Sequence, residues 1–276
     1  MKKEEIISFL KNIRLLPSIS FMLMYFFGWY FSNIFNLFDL ILGLISVFFT
    51  WQFCISLNDI FDVEIDRISN PDRPYVKGLI EKKKYIIISI VICTISIITI
   101  LFVDIISMVF IILFLILGYM YSAPPFRLRK YLIGTLFIGA ASALSYFSGI
   151  FSGVFILNWY QLMIGILIFV ALSMGTVVKD YKDYEGDKNQ NIKTIFTKFG
   201  LEKGIKIATI LLIITFLLPF LLINHPIDFI IIIPITIVVA VLFNYKKIKK
   251  KMQVTMVFFF IEILYVFLRI TEIIIF

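Results

Sequence analysis

Apolar residues run along this chain in stretches of about 20, each closed by a short polar break, and a stretch of that length is what an α-helix needs to cross a bilayer. Nine such stretches occur, at residues 15–35, 40–60, 85–103, 105–121, 132–151, 159–178, 205–223, 229–245 and 254–275. Only Asp104 separates the third from the fourth, and only the Asn224-His225-Pro226 turn separates the seventh from the eighth. Inside hydrocarbon every backbone N–H and C=O must find its partner within the protein, so each stretch is predicted to be helical. The pattern predicts an all-α membrane protein, a bundle of nine transmembrane helices forming one polytopic domain over residues 1–276.

The polar breaks are not equivalent. All but one of the 26 Lys and Arg residues fall at 1–14, 67–84, 127–130, 179–206 and 246–251, which is every second break, and Arg269 alone stands outside. Cytoplasmic loops retain basic residues, so the amino terminus and these breaks are predicted to be cytoplasmic and the carboxyl terminus outside, in a multi-pass cell-membrane protein. Composition agrees, with 61% of residues hydrophobic and 16% charged, against about half and a quarter in soluble domains. The net charge of +8 borders the spans and lines no single face, which favours anionic membrane lipid over nucleic acid as its partner. The run Lys246, Lys247, Lys249, Lys250 and Lys251 fits that attraction and needs no other role. Residues 4–14 are predicted to form an amphipathic surface helix with Ile6, Ile7, Phe9, Leu10 and Ile13 towards lipid. Cys54 and Cys93 lie inside apolar runs at no metal-ligand spacing and read as small buried hydrophobes.

The acids are grouped more tightly. Asn58, Asp59, Asp62, Glu64 and Asp66 lie where the second stretch meets a basic break, and Asp180, Asp183, Glu185 and Asp187 lie where the sixth does. Both clusters have the form Asp-x-x-Asp-x-x-x-Asp, which on a continuous helix puts three carboxylates on one face, where they repel. One reading is an interfacial helix end whose acids are neutralised by Arg67, Arg73, Lys179 and Lys182. The other follows from the repetition, since four stretches separate the clusters, as in a parallel duplication whose equivalent helix ends face one another. Six carboxylates around one mouth call for a hard divalent cation such as Mg2+, held together with substrate phosphate oxygens.

Between the clusters lies Tyr119-Met120-Tyr121-Ser122-Ala123-Pro124-Pro125-Phe126-Arg127-Leu128-Arg129-Lys130. Pro124 and Pro125 end the fourth stretch and stiffen the turn, so Arg127, Arg129 and Lys130 are expected beside the acidic mouth, with Arg127, the first after the prolines, nearest to it. They are either part of the orientation signal or donors to phosphate oxygens. Carboxylates for metal, bases for phosphate and an apolar interior describe a site for a lipid-tailed diphosphate. Neither Gly-x-x-x-x-Gly-Lys nor Gly-x-Gly-x-x-Gly occurs, so no nucleotide cradle competes.

The run Asn58-Asp59-Ile60-Phe61-Asp62-Val63-Glu64-Ile65-Asp66-Arg67, followed by Asn70-Pro71-Asp72-Arg73-Pro74, resembles the first signature of the UbiA-type intramembrane prenyltransferases. Lys179-Asp180-Tyr181-Lys182-Asp183-Tyr184-Glu185-Gly186-Asp187-Lys188 resembles the second. Both are most similar to those of digeranylgeranylglyceryl phosphate synthases and chlorophyll synthases, while Tyr121-Ser122-Ala123-Pro124-Pro125 leans towards the chlorophyll and homogentisate branch. The Pro-Ser-Gly that often follows Arg-Pro is here Val76-Lys77-Gly78, and Leu15 stands where many members have Pro.

The resemblance implies a cytoplasmic cap formed by the two Asp-bearing loops. It also implies magnesium-dependent transfer of an isoprenyl group from an allylic isoprenyl diphosphate donor to a lipophilic acceptor, whether geranylgeranylglyceryl phosphate or an aromatic, quinone-precursor or chlorin molecule. Asp59, Asp62, Asp180 and Asp183 are the implied metal ligands, with Asp66 and Asp187 in the catalytic set and Asn58, Arg67, Arg73, Lys179 and Lys188 binding substrate. Arg127, Arg129 and Lys130 join the diphosphate side, and Tyr119 and Tyr121 are the aromatic faces best placed to steady an allylic cation, Tyr121 as a catalytic group.

The rival reading is a secondary transporter of an anionic lipid or metabolite, which also has repeated halves. Transporters place ionisable groups near the bilayer midplane, whereas here only Glu262 and Arg269 lie well inside a stretch, at a spacing that lets them pair with each other. His225 is expected to be a turn residue on the side away from both clusters. Orientation is directly testable. A Cys introduced at Asn189 is expected to react with a membrane-impermeant thiol reagent only in inside-out vesicles, and one at Asn224 in intact cells. Labelling of Asn189→Cys from outside would contradict the orientation.

Overall fold

A computed structural model of the chain describes residues 3–154, 156–245 and 251–273, and among these it contains helices and turns but no strand. The helices are α1 (Lys3–Lys11), α2 (Leu15–Phe31), α3 (Leu37–Phe61), α4 (Val63–Ser69), α5 (Lys82–Leu101), α6 (Ile105–Ser122) and α7 (Leu136–Ile150). They continue as α8 (Trp159–Gly175), α9 (Asp180–Asn189), α10 (Ile195–Phe199), α11 (Leu201–Leu217), α12 (Pro226–Asn244) and α13 (Lys251–Ile270). Eight helical segments among the described residues are long and apolar enough to cross a membrane. The first of the nine predicted stretches forms α2, apolar but only 17 residues long, or about 25 Å at 1.5 Å per residue. Lys2, Lys246, Lys247, Lys249, Lys250, the side chain of Ile6 and the end of the last predicted stretch lie outside the described residues. Lys251, the described end of the lysine run, is buried.

The four breaks that lack Lys and Arg are helix starts closed by their own polar side chains. Asn36 accepts from the Phe38 N–H at 3.0 Å and Asp104 from the Ile106 N–H at 2.7 Å. Asn158 and Gln161 exchange hydrogen bonds of 2.8 and 3.0 Å in a capping box, and Asp228 accepts from the His225 N–H at 2.8 Å. Such caps satisfy the orphan amides of a helix start, each contributing about 1 kcal/mol. These polar residues are what divides one apolar run into two helices, and His225 sits in a turn as its position predicts.

Hydrophobic driving force does not hold helices together in lipid, so close backbone approach and buried polar pairs must. α2 and α7 meet through glycine. A Cβ at Gly28 would stand 2.0 Å from the Tyr146 carbonyl oxygen, and one at Gly149 would stand 2.1 Å from that of Tyr25. Ser107 on α6 and Ser148 on α7 donate to each other's carbonyls at 2.8 and 3.1 Å. Ser46 on α3 and Ser96 on α5 do the same at 2.9 and 3.0 Å, and the Thr50 hydroxyl meets that of Ser96 at 2.6 Å. At the far end, buried Asp228 on α12 accepts from Arg269 at 2.8 Å and Tyr265 at 2.5 Å on α13. The expected pairing of Arg269 with Glu262 does not form, because Asp228 reaches the guanidinium first. Glu262 is buried with its Oε1 unpartnered among the described residues.

Two departures from regular helix geometry place the acids. α3 stops at Phe61, Asp62 leaves helical backbone geometry at φ −108° and ψ 20°, and the chain restarts as α4. α8 stops at Gly175 and a tight turn over Thr176–Lys179 leads into α9. The first cluster therefore does not occupy one continuous helix face as its spacing predicts, since a bend at Asp62 separates Asp59 from Asp66. α4 and α9 pack so closely that a Cβ at Gly186 would lie 2.4 Å from the Ser69 Oγ. The amphipathic α1 leaves Ile7 and Leu10 exposed as predicted. It turns Phe9 inward onto Tyr85 at 5.6 Å between rings, and Glu5 pairs with Lys84 at 2.7 Å.

Gly28→Val is expected to cost at least about 2 kcal/mol by forcing α2 from α7, lowering the unfolding midpoint of the detergent-solubilised protein by on the order of 5 °C. Ile90→Val, on an exposed face of α5, should leave that midpoint within about 1 °C. An unchanged midpoint for Gly28→Val would contradict the packing.

Candidate active site

The three Asp of the first cluster are buried, each about 1% exposed, and each is met by guanidinium or amide groups. Asp59 accepts from Arg73 at 2.9 Å and Arg14 at 3.1 Å through one oxygen, and from Tyr85 Oη at 2.9 Å and Asn12 through the other. Asp62 accepts from Asn58, Arg129 and, at 3.2 Å, Arg127. Asp66 accepts from Arg73 and, at 3.0 Å, from Asn70. Arg129 then reaches the second cluster, 3.4 Å from Asp187 and 3.9 Å from Asp183. It thereby joins Asp62, at the bend between α3 and α4, to the carboxylates of α9, while Arg73 joins Asp59 to Asp66. Burial disfavours charge on Arg129, but Asp62, Tyr121, Asp183 and Asp187 outweigh it and hold the guanidinium above its usual range. Burial pushes the Asp66 carboxyl up, against the opposing pull of Arg73 and Asn70.

These groups border a cavity of about 700 Å³. Its polar end carries Asn58, Asn70, Arg73, Arg129, Lys179, Asp180, Asp183 and Asp187, and its deeper wall carries Phe21, Trp51, Phe137 and Phe259. Trp51 is seven residues before Asn58 on α3, about 10 Å into the bundle. Tyr121 lines the same wall, stacked on Phe137 at 4.3 Å, with its hydroxyl 3.1 Å from the Lys179 ammonium. Asp180 is 8% exposed on this wall and has no hydrogen-bond or ion-pair partner among the described residues. An uncompensated buried carboxylate is costly unless a cation meets it. With amide and carboxylate oxygens as the other donors, the set suits the hard, oxygen-preferring Mg2+. No three acids among the described residues are already grouped as a metal site, because the first cluster is engaged by arginines.

The family model of the UbiA prenyltransferases matches residues 16–265. The chain belongs to the UbiA prenyltransferase family. This UbiA prenyltransferase is 30% identical over 209 residues to the digeranylgeranylglyceryl phosphate synthase of Methanosphaera stadtmanae, covering 75% of each chain. It is 34% identical over 178 residues to that of Saccharolobus solfataricus, covering 63% of this chain and 59% of the relative. Its fold matches a UbiA homolog from Archaeoglobus fulgidus bound to GPP and Mg2+ with a TM-score of 0.74 at 23% identity, over 94% of this chain and 96% of that one. A solved digeranylgeranylglyceryl phosphate synthase matches with a TM-score of 0.64 at 24% identity, over 96% of both chains. Membership of an enzyme family sets aside the transporter alternative.

Within the UbiA prenyltransferase cavity stand eight of the residues singled out from sequence: Asn58, Arg73, Tyr121, Arg129, Lys179, Asp180, Asp183 and Asp187. Asp59, Asp62 and Asp66 stand behind them, bonded to side chains that line it. The expectation that Arg127 comes nearest the mouth does not hold. Its backbone is left-handed (φ 41°), which turns the guanidinium to the Phe61 carbonyl at 2.9 Å and to Asp62, and leaves Arg129 facing the cavity. Arg67 is on the outside of α4, paired with Glu64 at 3.0 Å with both groups exposed. Lys130 is exposed, Lys188 lies over the Tyr184 ring at 5.7 Å, and exposed Tyr119 donates to the Pro124 carbonyl at 3.1 Å. Sequence reasoning missed Asn12, Arg14, Asn70 and Tyr85 as partners of the acids. Arg14 was legible only as an orientation charge, and Asn70 stood inside the quoted signature without a role.

Arg129→Lys keeps the charge but cannot bridge two clusters, and is expected to raise the donor KM of the prenyltransferase by at least about tenfold. Arg67→Ala, Lys130→Ala and Lys188→Ala should each stay within about twofold of wild type. Steady-state kinetics with varied donor distinguishes the groups, and a wild-type donor KM for Arg129→Lys would contradict the placement.

Proposed function

We propose that this prenyltransferase moves an isoprenyl group from an allylic isoprenyl diphosphate to the hydroxyl of a geranylgeranylglyceryl phosphate, with Mg2+ at the acidic end of the cavity. The observation that carries the reading is one cavity with oxygen donors and cations at its polar end and aromatic walls below. The names of the relatives support the choice of acceptor, and the homolog bound to GPP and Mg2+ supports the donor and metal. We read all nine apolar helices as spans, α2 included, with α4 and α9 as a cap and the amino terminus on the cytoplasmic side. Supporting this, the four breaks in which a polar side chain caps the start of the next long helix carry no Lys or Arg.

Asn58, Asp180 and Asp183 would hold the metal together with diphosphate oxygens, and Asp62 would position Asn58 and Arg129 beside it. When bound, Mg2+ neutralises the negative charge that grows on the diphosphate as the carbon–oxygen bond breaks. Arg129, Arg73 and Lys179 act on the same charge from fixed positions, which is worth more in a dry site than in water. Asp59, with four donors on its two oxygens, is read as positioning Arg14 and Arg73, and Asp66 as positioning Arg73 and Asn70. Asp187 holds Arg129 at the cavity wall. Trp51, Phe137 and Tyr121 exclude water from the allylic carbon and offer π-faces to its positive charge. The acceptor oxygen bonds to that carbon as the carbon–oxygen bond to diphosphate breaks, and the hydroxyl proton passes to the departing diphosphate.

Asp183→Asn and Asp180→Asn are each expected to lower turnover by about a hundredfold or more with an unchanged unfolding midpoint, since only charge is lost. EDTA should abolish turnover and added Mg2+ restore it. Full activity of an Asp62→Asn, Asp183→Asn double variant in EDTA, measured with labelled geranylgeranyl diphosphate, would overturn the metal assignment.

A further inference from the structure

Lys251 is a buried cation with no acidic partner among the described residues. It is 4% exposed at the start of α13, where its ammonium donates to the carbonyl oxygens of Phe243 and, at 2.9 Å, Tyr245, at the end of α12. It also lies 5.6 Å from the centre of the Tyr181 ring and 5.4 Å from that of Phe243. All these partners are neutral. Helix-end carbonyls and π-faces orient a cation and offset part of its burial cost, but they do not cancel its charge. The four arginines around the acids, by contrast, each pair with a carboxylate.

Lys251 also lines the cavity, and so do Met252, Gln253, Thr255, Met256 and Phe259 along α13, all but Gln253 on one face of the helix. Their spacing of three and four residues continues a single helix stripe. The wall leading away from the ammonium is thus mostly apolar, a shape that suits an anionic head on a hydrocarbon tail. Two phosphate-bearing substrates in one cavity repel, so each needs its own counter-charge. The arginines each share their charge with a carboxylate, whereas Lys251 brings from α13 a charge with no ion-pair partner among the described residues.

We propose that Lys251 binds the phosphate of the acceptor, a lipid-tailed phosphate monoester, from the α13 wall of the cavity. This rests on the prenyl-transfer reading above.

The test uses the full chain, geranylgeranyl diphosphate as donor, and two acceptors, geranylgeranylglyceryl phosphate and its dephosphorylated alcohol. Lys251→Gln keeps hydrogen bonds for the α12 carbonyls without the charge, and Lys251→Arg keeps the charge. Lys251→Gln is expected to lower kcat/KM for the phosphate acceptor by about 10- to 100-fold and for the alcohol by less than about threefold, with Lys251→Arg near wild type. Equal losses on both acceptors, or a raised donor KM with unchanged acceptor KM, would overturn the proposal. Equilibrium binding of labelled geranylgeranylglyceryl phosphate separates the two readings. Weaker binding to Lys251→Gln supports the phosphate site even if wild type transfers nothing, an outcome that would defeat only the transfer reading. Equal binding to both proteins, or displacement of the label by equimolar phosphatidylglycerol, which would mark a bulk-lipid headgroup site, overturns the proposal.

Discussion

Six carboxylates from two distant stretches of the chain meet at one end of a helix bundle, and the molecule depends on how their charge is balanced. Two carboxylates about 5 Å apart repel by roughly 3 kcal/mol at an effective dielectric of 20, so a group of six, all buried but Asp183, is untenable alone. Arg14, Arg73, Arg127 and Arg129 supply the balance, and Arg129 supplies it to both clusters at once. Breaking such a buried pair from one side leaves the other charge stranded, which is why these contacts fix geometry more than they add stability. Among the described residues Asp180 has no hydrogen-bond or ion-pair partner at the cavity wall, and the proposed metal site draws on that asymmetry between the clusters.

The bundle exists to hold that end still. Glycine contacts lock α2 to α7, buried hydroxyl pairs lock α3 to α5 and α6 to α7, and Gly186 lets α9 lie against α4. The backbone breaks at Asp62 and at Thr176–Lys179 turn the ends of two long helices toward each other. A continuous α3 would carry Asp66 on past the bundle, away from Arg73. The same apolar interior that gives the helices their place in lipid also furnishes the dry wall of Trp51, Phe137 and Tyr121 that an allylic cation requires.

Much of this was legible in the residues. Helix positions followed from apolar run lengths, since lipid leaves the backbone no other choice, and every break without basic residues turned out to hold an N-cap. The repeated Asp spacing singled out two stretches that the fold brings to one cavity, and membership of the UbiA prenyltransferases agrees with the resemblance those residues carry. What the pattern did not disclose depends on backbone direction and long-range contact. The left-handed backbone of Arg127 turns that side chain aside and leaves Arg129 facing the cavity, and no periodicity encodes such a turn. Lys251 looked like one more surface lysine because its burial depends on where α12 ends. Arg269 found Asp228 across a helix pair, where spacing within one helix suggested Glu262.

The central claim is that the two acidic stretches form one mouth, and the approach of α4 to α9 tests it most directly. Ser69→Cys with Gly186→Cys, in a chain with Cys54 and Cys93 replaced by Ala, places two thiols where the Gly186 backbone stands closest to Ser69. Mild oxidation in native membranes is expected to form an intramolecular disulfide, seen as a mobility shift reversed by dithiothreitol and by no single-Cys chain. Absence of that cross-link, with both thiols shown to be present and reactive, would mean that the clusters do not meet and would contradict the account.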